Sequence, residues 1–264
     1  MKKRQLFIIF ILLFCTGCPA PYRHLYKEGV RYCVTDGLFK SRWEDYYERA
    51  MSCYSGGFYN EALIDIDKAI AIRKHEKDER MVRTHGMHYI DCFVNRDKGL
   101  ILYALKQYDK AKNQLEVSIQ HEPSDKAFHY LDLTRKELID KSSKSQPVIH
   151  LEMPETKQTV FRTNAFPLIV SGYAIDQDYI ESIIIHKKPV FIECSQKKIE
   201  FNVPLHLKEG HHNIRLIARN LHQMSSEKII SVHIDRSGPM VYINKCDHGI
   251  CGKVIDSLPH MNLF

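Results

Sequence analysis

The sequence has little excess of either charge and little glycine or proline. Its 38 Lys and Arg against 32 Asp and Glu give a formal net charge of +6 over 264 residues. Lys2, Lys3 and Arg4 lie in a predicted removable leader, so +3 remains on the rest of the chain. So small an excess argues against nucleic acid as a partner. With 12 Gly and 10 Pro, the composition excludes collagen and bulk disorder, and the length predicts one or two globular units.

The sequence also lacks the signatures of an enzyme. There is no G-x-S-x-G elbow, no phosphate-binding glycine loop and no Cys/His pair in a catalytic context. Asp65 and Asp67 lie two residues apart on a predicted helix and do not share a face, so they cannot form an acid–base pair. The closest histidine pairs, which lack H-E-x-x-H spacing, are His85 with His88 and His211 with His212. We predict no enzymatic activity, no cofactor and no metal, and a structural or solvent-facing role for these histidines.

The N-terminus has the pattern of a secretory signal. Basic residues 2–4 precede an apolar run over Leu6–Phe14, about half of the ~20 residues that a spanning helix needs. Thr16 and Gly17 then precede Cys18, an arrangement that resembles the bacterial lipobox. The resemblance implies removal of residues 1–17, acylation of Cys18 with diacylglycerol and usually a further fatty acid such as palmitate, and stable attachment to a membrane. Ordinary secretion by cleavage near Ala20 is the alternative.

Residues 41–141 have helical periodicity, after an extension over residues 18–40. Apolar residues recur at helical spacing from Trp43 to Tyr54, Gly56-Gly57 breaks the run, and a second helix follows. The chain then repeats itself, because Tyr59 and Ala62 of this pair match Tyr108 and Ala111. The repeat resembles the tetratricopeptide family, which implies a solenoid of helical hairpins.

The repeat offset is 49 residues, whereas the family repeats every ~34. The excess lies between Ile72 and Gly99, where we predict an elongated helix that starts within residues 84–93. Ser124 and Asp125 are predicted to cap a last amphipathic helix.

The tetratricopeptide resemblance implies that the first helix of each hairpin lines a concave surface that binds a partner protein. The residues matched to that surface are Tyr47, Met51, Tyr54, Arg96, Leu100 and Tyr103. Tyr and Arg are common interface anchors. Alternatively, these side chains pack against the segment 19–40 and form core.

A polar linker over residues 142–147 ends the helical domain, and the hydrophobic period then changes from 3.6 to 2. The seven predicted strands are Val148–Met153, Leu168–Tyr173, Ile180–His186, Val190–Glu193, Ile199–Val203, Asn213–Ala218 and Lys228–Ile234. Residues 148–236 resemble a bacterial immunoglobulin-like module, which implies an antiparallel β-sandwich acting as a spacer or adhesive unit. Residues 237–264 repeat the beginning of that module and are interpreted as a second, truncated copy.

Cysteine spacing leaves the redox chemistry open. In an oxidising compartment disulfides are permitted, and Cys246 with Cys251 is the closest pair remaining after the leader. A small disulfide loop, free thiols and part of a metal site are all compatible with that spacing. A zinc site normally needs four ligands, and only three potential ligands are close here.

Together these patterns predict a multidomain α + β protein, with tetratricopeptide-like hairpins followed by an immunoglobulin-like sandwich. We expect a lipid-anchored scaffold at the outer membrane, on its periplasmic face or on the cell surface. It would bind a protein partner through the concave face of the helices. The alternative function is binding of cell-wall material or glycans by the β domain.

Overall fold

The computed structural model describes residues 25–74, 77–139, 145–152, 160–238, 240–246 and 249–255, and side chains up to residue 238. The predicted lipidation site, Cys18, lies outside these residues. The described chain has a mixed α + β architecture with five helices and a β-rich region. It forms two compact units, Met1–Gln107 and Tyr108–Phe264. None of the described helices is long and apolar enough to cross a membrane.

Unit 1 contains the first two predicted helices. Helix α1 spans Trp43–Gly56 and α2 spans Tyr59–Arg73, with Gly57 in the left-handed conformation at φ 82° between them. Glycine adopts this conformation without steric cost, which allows the abrupt reversal. The alanines that face the shared core, Ala50, Ala62 and Ala69, are fully buried and let the helix backbones approach closely.

Two short hairpins accompany these helices. Strands β1 (Leu25–Lys27) and β2 (Val30–Tyr32) are antiparallel and precede α1. Strands β3 (Glu79–Arg83) and β4 (Tyr89–Cys92) form the second hairpin.

The prediction of an elongated helix beginning within residues 84–93 is therefore wrong. β-branched Val82 and Ile90 are register partners on facing strands and pack on the unit 1 core. Gly86, at φ 71°, lies in the turn between the strands, a conformation that a continuous helix does not allow. The cross-strand pair of Val82 and Ile90 stabilises this segment as a hairpin instead of a helix.

The remaining helices are α3 (Val94–Ala104) in unit 1, and α4 (Tyr108–His121) and α5 (Asp125–Leu138) in unit 2. The predicted cap of the last helix is confirmed, since Ser124 Oγ accepts a hydrogen bond from the Ala127 amide at 3.3 Å. The two units divide between α3 and α4, inside the region predicted as one helical domain. The predicted linker 142–147 is described only from Ser145 onward.

Seven strands of unit 2 form one curled sheet with the order β5-β7-β10-β11-β6, and β8 and β9 also pair with β7. They are β5 (Val148–Leu151), β6 (Val160–Thr163), β7 (Leu168–Ile185), β8 (Lys188–Pro189), β9 (Gln196–Leu205), β10 (Gly210–Asn220) and β11 (Ser225–Ile234). Pairing is antiparallel except between β6 and β11. Strand β7 shifts register between Ile175 and Ile180, so its halves join different neighbours around one apolar core.

The predicted strands agree with this sheet in most places and differ in three. Strand β7 unites two predicted strands, Leu168–Tyr173 and Ile180–His186, and β6 was not predicted. Residues 190–193 were predicted to be a strand but are irregular, and only the two residues of β8 pair there. Unit 2 is therefore β-rich as expected, with a different partition of the chain into strands.

Residues 240–246 and 249–255 form a separate hairpin of β12 (Met240–Cys246) and β13 (Gly249–Ile255). Its register places Cys246 opposite Gly249, and Cys251 opposite Asn244. The side chains of this hairpin are outside the described part, so the disulfide between Cys246 and Cys251 stays a prediction.

Candidate functional site

A pocket of about 700 Å³ opens in unit 1 beside helix α1. Three segments line it: the loop 36–42, α1 itself, and the turn between β3 and β4. Its apolar lining comes from Leu38, Met51 and Ile90. The pocket is large enough to accept several side chains of a peptide or a small molecule.

The loop 36–42 is fastened to α1 along one face of the helix. Its backbone amides at Asp36 and Lys40 donate to Glu48 Oε1 at 2.8 Å and Asp45 Oδ2 at 2.7 Å. Residues three apart on a helix share a face, which explains why both carboxylates reach the same loop. The pocket wall is therefore held in place by α1.

A disulfide between Cys33 and Cys53 adds a covalent attachment just before this loop. Next to it, the Val34 amide donates to Ser52 Oγ at 3.3 Å. Ser52 continues the helix face that carries Asp45 and Glu48. A cross-link across 20 residues restricts the unfolded chain, and it also fixes where the loop begins.

The opposite wall is the turn of the β3–β4 hairpin. Thr84 closes it, with its amide 2.9 Å from the His88 carbonyl and its hydroxyl 3.0 Å from His88 Nδ1. Arg83 Nε donates to the Gly86 carbonyl at 2.7 Å. These contacts hold His85 and His88 at the pocket edge, where they are part of its lining.

Beneath the pocket lies a buried polar network around Tyr47. The Tyr47 hydroxyl donates to Asp97 Oδ2 and accepts a hydrogen bond from the Phe93 amide at 3.2 Å. Arg96 Nε pairs with Asp97 Oδ1 at 2.8 Å. Burial and the Asp97 carboxylate raise the pKa of Tyr47, so its hydroxyl stays protonated and donates to Asp97.

Helix α3 is capped by a carboxylate from outside the helix. Buried Asp78 accepts hydrogen bonds from the backbone amides of Asn95 at 2.8 Å and Arg96 at 3.1 Å. A negative charge at this position also interacts favourably with the helix dipole. This cap fixes the start of α3, from which Arg96 and Asp97 reach the network below the pocket.

The six residues predicted to bind a partner do not form one surface in the structure. Tyr47 and Leu100 are only 7% and 1% exposed and are buried in the core. Tyr47 and Met51 line the pocket, whereas the other four do not. Arg96 is paired with Asp97, Tyr54 packs beside Tyr59 with ring centroids 5.7 Å apart, and Tyr103 is half-buried.

Sequence reasoning missed most of the pocket wall. Leu38 lies in the extension, which was considered only as a packing surface for the helices, and His85 and His88 lie in the segment predicted to be helical. The one signal available was the pair Cys33 and Cys53, but spacing alone does not reveal which cysteines join.

Unit 2 contains a second polar cluster, where α5 meets the residues before β9. Asp132 accepts hydrogen bonds from the Ser195 amide at 3.1 Å and the Ser195 hydroxyl at 2.5 Å. Arg135 donates to the Ser195 carbonyl and to Cys194 Sγ. A pocket of about 440 Å³ opens beside Arg135, Cys194 and Ser195, but the described residues of the cluster include no histidine. We assign the cluster the structural role of joining α5 to the sheet.

The two free thiols among the described residues are buried, at Cys92 and Cys194. Burial raises the pKa of each to about 12, above the ordinary value of 9. The thiolate is the reactive form of cysteine, so both thiols are inert near neutral pH. Because the unfolded thiols ionise near pH 9, these two groups lower the stability of the fold as pH rises from 9 towards 12.

We expect neither thiol to react with iodoacetamide at pH 8 while the chain is folded. In urea both should be modified, and mass spectrometry of the peptides that contain Cys92 and Cys194 separates the two sites. Modification of the native protein at the rate of the unfolded chain would contradict the burial described here.

No protein-family model matches this sequence, and no curated protein matches it. Among solved structures, the chain is similar to the fibronectin(III)-like modules of Clostridium thermocellum CbhA, with 18% sequence identity and a TM-score of 0.23. The match covers 34% of this chain and 47% of that chain. So weak a similarity supports no conclusion about function.

Proposed function

We propose that this protein is a lipid-anchored interaction protein of the bacterial cell envelope, and that it binds a segment of a partner protein in the pocket beside α1. The observation that carries the proposal is a pocket with both apolar and charged lining, whose loop wall is fastened before binding occurs. A preformed wall lowers the ordering cost of association.

The lining indicates what kind of segment would fit. Leu38 is 80% exposed and lies with half-buried Met51 in the lining, so the pocket offers an apolar contact to a partner side chain. Methionine adapts its shape to the group it contacts. A segment with one large apolar side chain would bury the exposed part of Leu38.

The charge of the pocket lining indicates which residues would flank the apolar side chain of the partner segment. Four carboxylates line the pocket, against one lysine, one arginine and two histidines; the acidic members are Asp36, Glu44, Asp45 and Glu48. We therefore propose a partner segment in which a basic residue flanks the apolar one. Complementary charge would speed the encounter and fix the orientation of the segment.

Two further observations support an envelope location. The leader and Cys18 resemble those of a lipoprotein, and the disulfide of unit 1 is of a kind that persists in oxidising compartments. The tetratricopeptide-like and immunoglobulin-like assignments are part of this proposal, with the helical part recruiting the partner and the sheet of unit 2 acting as a spacer.

The anchor is tested by replacing Cys18 with serine. The unaltered chain should incorporate labelled palmitate and remain with the membrane fraction, whereas Cys18→Ser should lose the label and leave that fraction. The unaltered chain, labelled and fractionated in parallel, is the reference for both readouts. Membrane retention and labelling of Cys18→Ser would contradict acylation at this residue.

The pocket is tested by Leu38→Asp in the full chain. Because Leu38 is exposed, its replacement should leave the fold intact, while a charge in the apolar contact should weaken partner binding at least tenfold, or about 1.4 kcal/mol. The measurement is the yield of the partner cross-linked in the native envelope and identified by mass spectrometry.

The control is Ile64→Asp, since Ile64 is 52% exposed on α2 and does not line the pocket. This variant should retain the cross-linked partner, and fluorescence of Trp43 should confirm that both variants are folded. Equal partner yields from Leu38→Asp and Ile64→Asp would remove the pocket from the proposal.

A further inference from the structure

Two histidines face each other across strands β10 and β11 of unit 2. His211 and His233 are register partners, and their ring centroids are 4.1 Å apart with an interplanar angle of 41°. His211 is exposed and His233 is half-buried. The pair is distinct from the sequence neighbours His211 and His212, whose side chains point to opposite faces of the strand.

One ring nitrogen of this pair is left without a hydrogen bond. Nδ1 of His233 is buried and has no hydrogen-bond partner among the described residues. Such a group is costly to bury, and most buried polar atoms in folded proteins have a partner. The next register pair on the same face of the two strands is Asn213 with Ser231. These two side chains are hydrogen-bonded to each other at 2.9 Å and leave His233 Nδ1 without a partner.

We propose that His211 and His233 bind a divalent transition-metal ion, with Cu²⁺ bound more tightly than Ni²⁺ or Zn²⁺. Neutral imidazole is a preferred ligand of these ions, and a given nitrogen site binds Cu²⁺ the most tightly of the three. Two imidazoles on facing strands can chelate one ion after a small rotation of the rings. Water or another exchangeable ligand completes the coordination.

The described residues set the limits of the site. None of them forms a cluster of three or more His, Cys, Asp or Glu that could hold a metal, so the described residues supply two ligands here. The position on β6 beside His233 is Arg162, whose positive charge does not add to the ligand set. The site is therefore an exchangeable surface site rather than a closed structural one.

This inference is independent of the pocket in unit 1. It concerns residues of unit 2 only, and it assigns them a ligand class that the proposed partner binding does not require. Loss of metal binding would leave partner binding unaffected, and the reverse also holds.

The test uses the full chain without a polyhistidine tag, titrated with CuCl₂ and followed by calorimetry and by electron paramagnetic resonance at one equivalent. The unaltered protein should show a tightest site with imidazole nitrogen ligands. His211→Asn and His233→Asn should each weaken that site at least tenfold, since each removes half of the protein ligands.

His212→Asn is the matched control, because it removes the adjacent histidine of the same strand and should change the Cu²⁺ affinity less than twofold. If His233→Asn does not fold, the exposed His211 still provides a tolerated substitution. The proposal is overturned if the unaltered chain shows no imidazole-bound Cu²⁺ at one equivalent, or if all three variants bind the first equivalent equally.

Discussion

Asp65→Ala should lower the free energy of unfolding of unit 1 by about 3–5 kcal/mol. The Asp65 carboxylate is fully buried and accepts two hydrogen bonds from Arg49, both at 2.7 Å. Without it, the Arg49 guanidinium would remain in the core without its bidentate partner. Its stacking over Phe39, 4.2 Å from the ring centroid, cannot replace a counter-charge.

Urea unfolding followed by the fluorescence of Trp43 measures this effect, because Trp43 is the only tryptophan and lies in α1. The control is Asp67→Ala on the same helix. Asp67 pairs with Lys98 at 2.9 Å, but its side chain is 51% exposed, so its loss should cost less than about 1 kcal/mol. Equal losses from the two variants would show that burial does not govern the strength of the Arg49–Asp65 pair.

A double variant separates the charge from the packing. Replacing both partners with apolar residues, as in Arg49→Met with Asp65→Leu, should restore most of the stability that Asp65→Ala loses. The reason is that no unpaired charge then remains in the core.

Removing the disulfide should cost unit 1 about 3 kcal/mol, the amount expected for a loop of about 20 residues. The variant is Cys33→Ser with Cys53→Ser. The loss should also reduce partner binding, because the loop that carries Asp36 and Leu38 begins directly after Cys33. Trp43 fluorescence in urea gives the stability, and cross-linking in the envelope gives the binding.

Reduction provides the control for this second variant. Dithiothreitol should lower the urea midpoint of the unaltered chain and leave that of the double serine variant unchanged, since Cys92 remains as a buried thiol. A midpoint that is insensitive to both reduction and substitution would show that the cross-link does not stabilise unit 1. A lower midpoint with unchanged binding would separate the disulfide from the pocket.

The features that the sequence predicted well are those encoded by neighbouring residues. Apolar residues three and four apart predicted α1 and α2, and Ser124 marked the start of α5 through its local hydrogen bond. Alternation at period 2 predicted most strands of the sheet. Each of these signals acts over a few residues, so one sequence is enough to read it.

The features that were missed depend on residues far apart in the chain. The β3–β4 hairpin depends on Val82 meeting Ile90 across a turn, within a run too short and too charged to show clear alternation. Asp78 caps a helix that begins 16 residues later, and Cys33 selects Cys53 by proximity in the fold. The pocket is assembled from the loop after Cys33, α1 and the β3–β4 hairpin, which is why its wall could not be identified from sequence.

The histidines show the same limitation. His211 and His212 attract notice because they are adjacent, yet the register of β10 with β11 brings His211 to His233 instead. A strand register is set by the whole sheet, so no local motif reveals this partner.

The hydrogen bonds that join Asp132 and Arg135 with Cys194 and Ser195 determine where the chain can be truncated to isolate the sheet. A shortened version that starts at Ser145, where the strand-rich segment begins, would leave the Ser195 amide and hydroxyl without their acceptor and the Cys194 thiol uncovered. Oxidation and aggregation of that truncated protein would then result from the position of the truncation rather than from a property of the sheet. A truncated protein that begins at Tyr108 includes α5 and therefore retains the hydrogen bonds of Cys194 and Ser195 with Asp132.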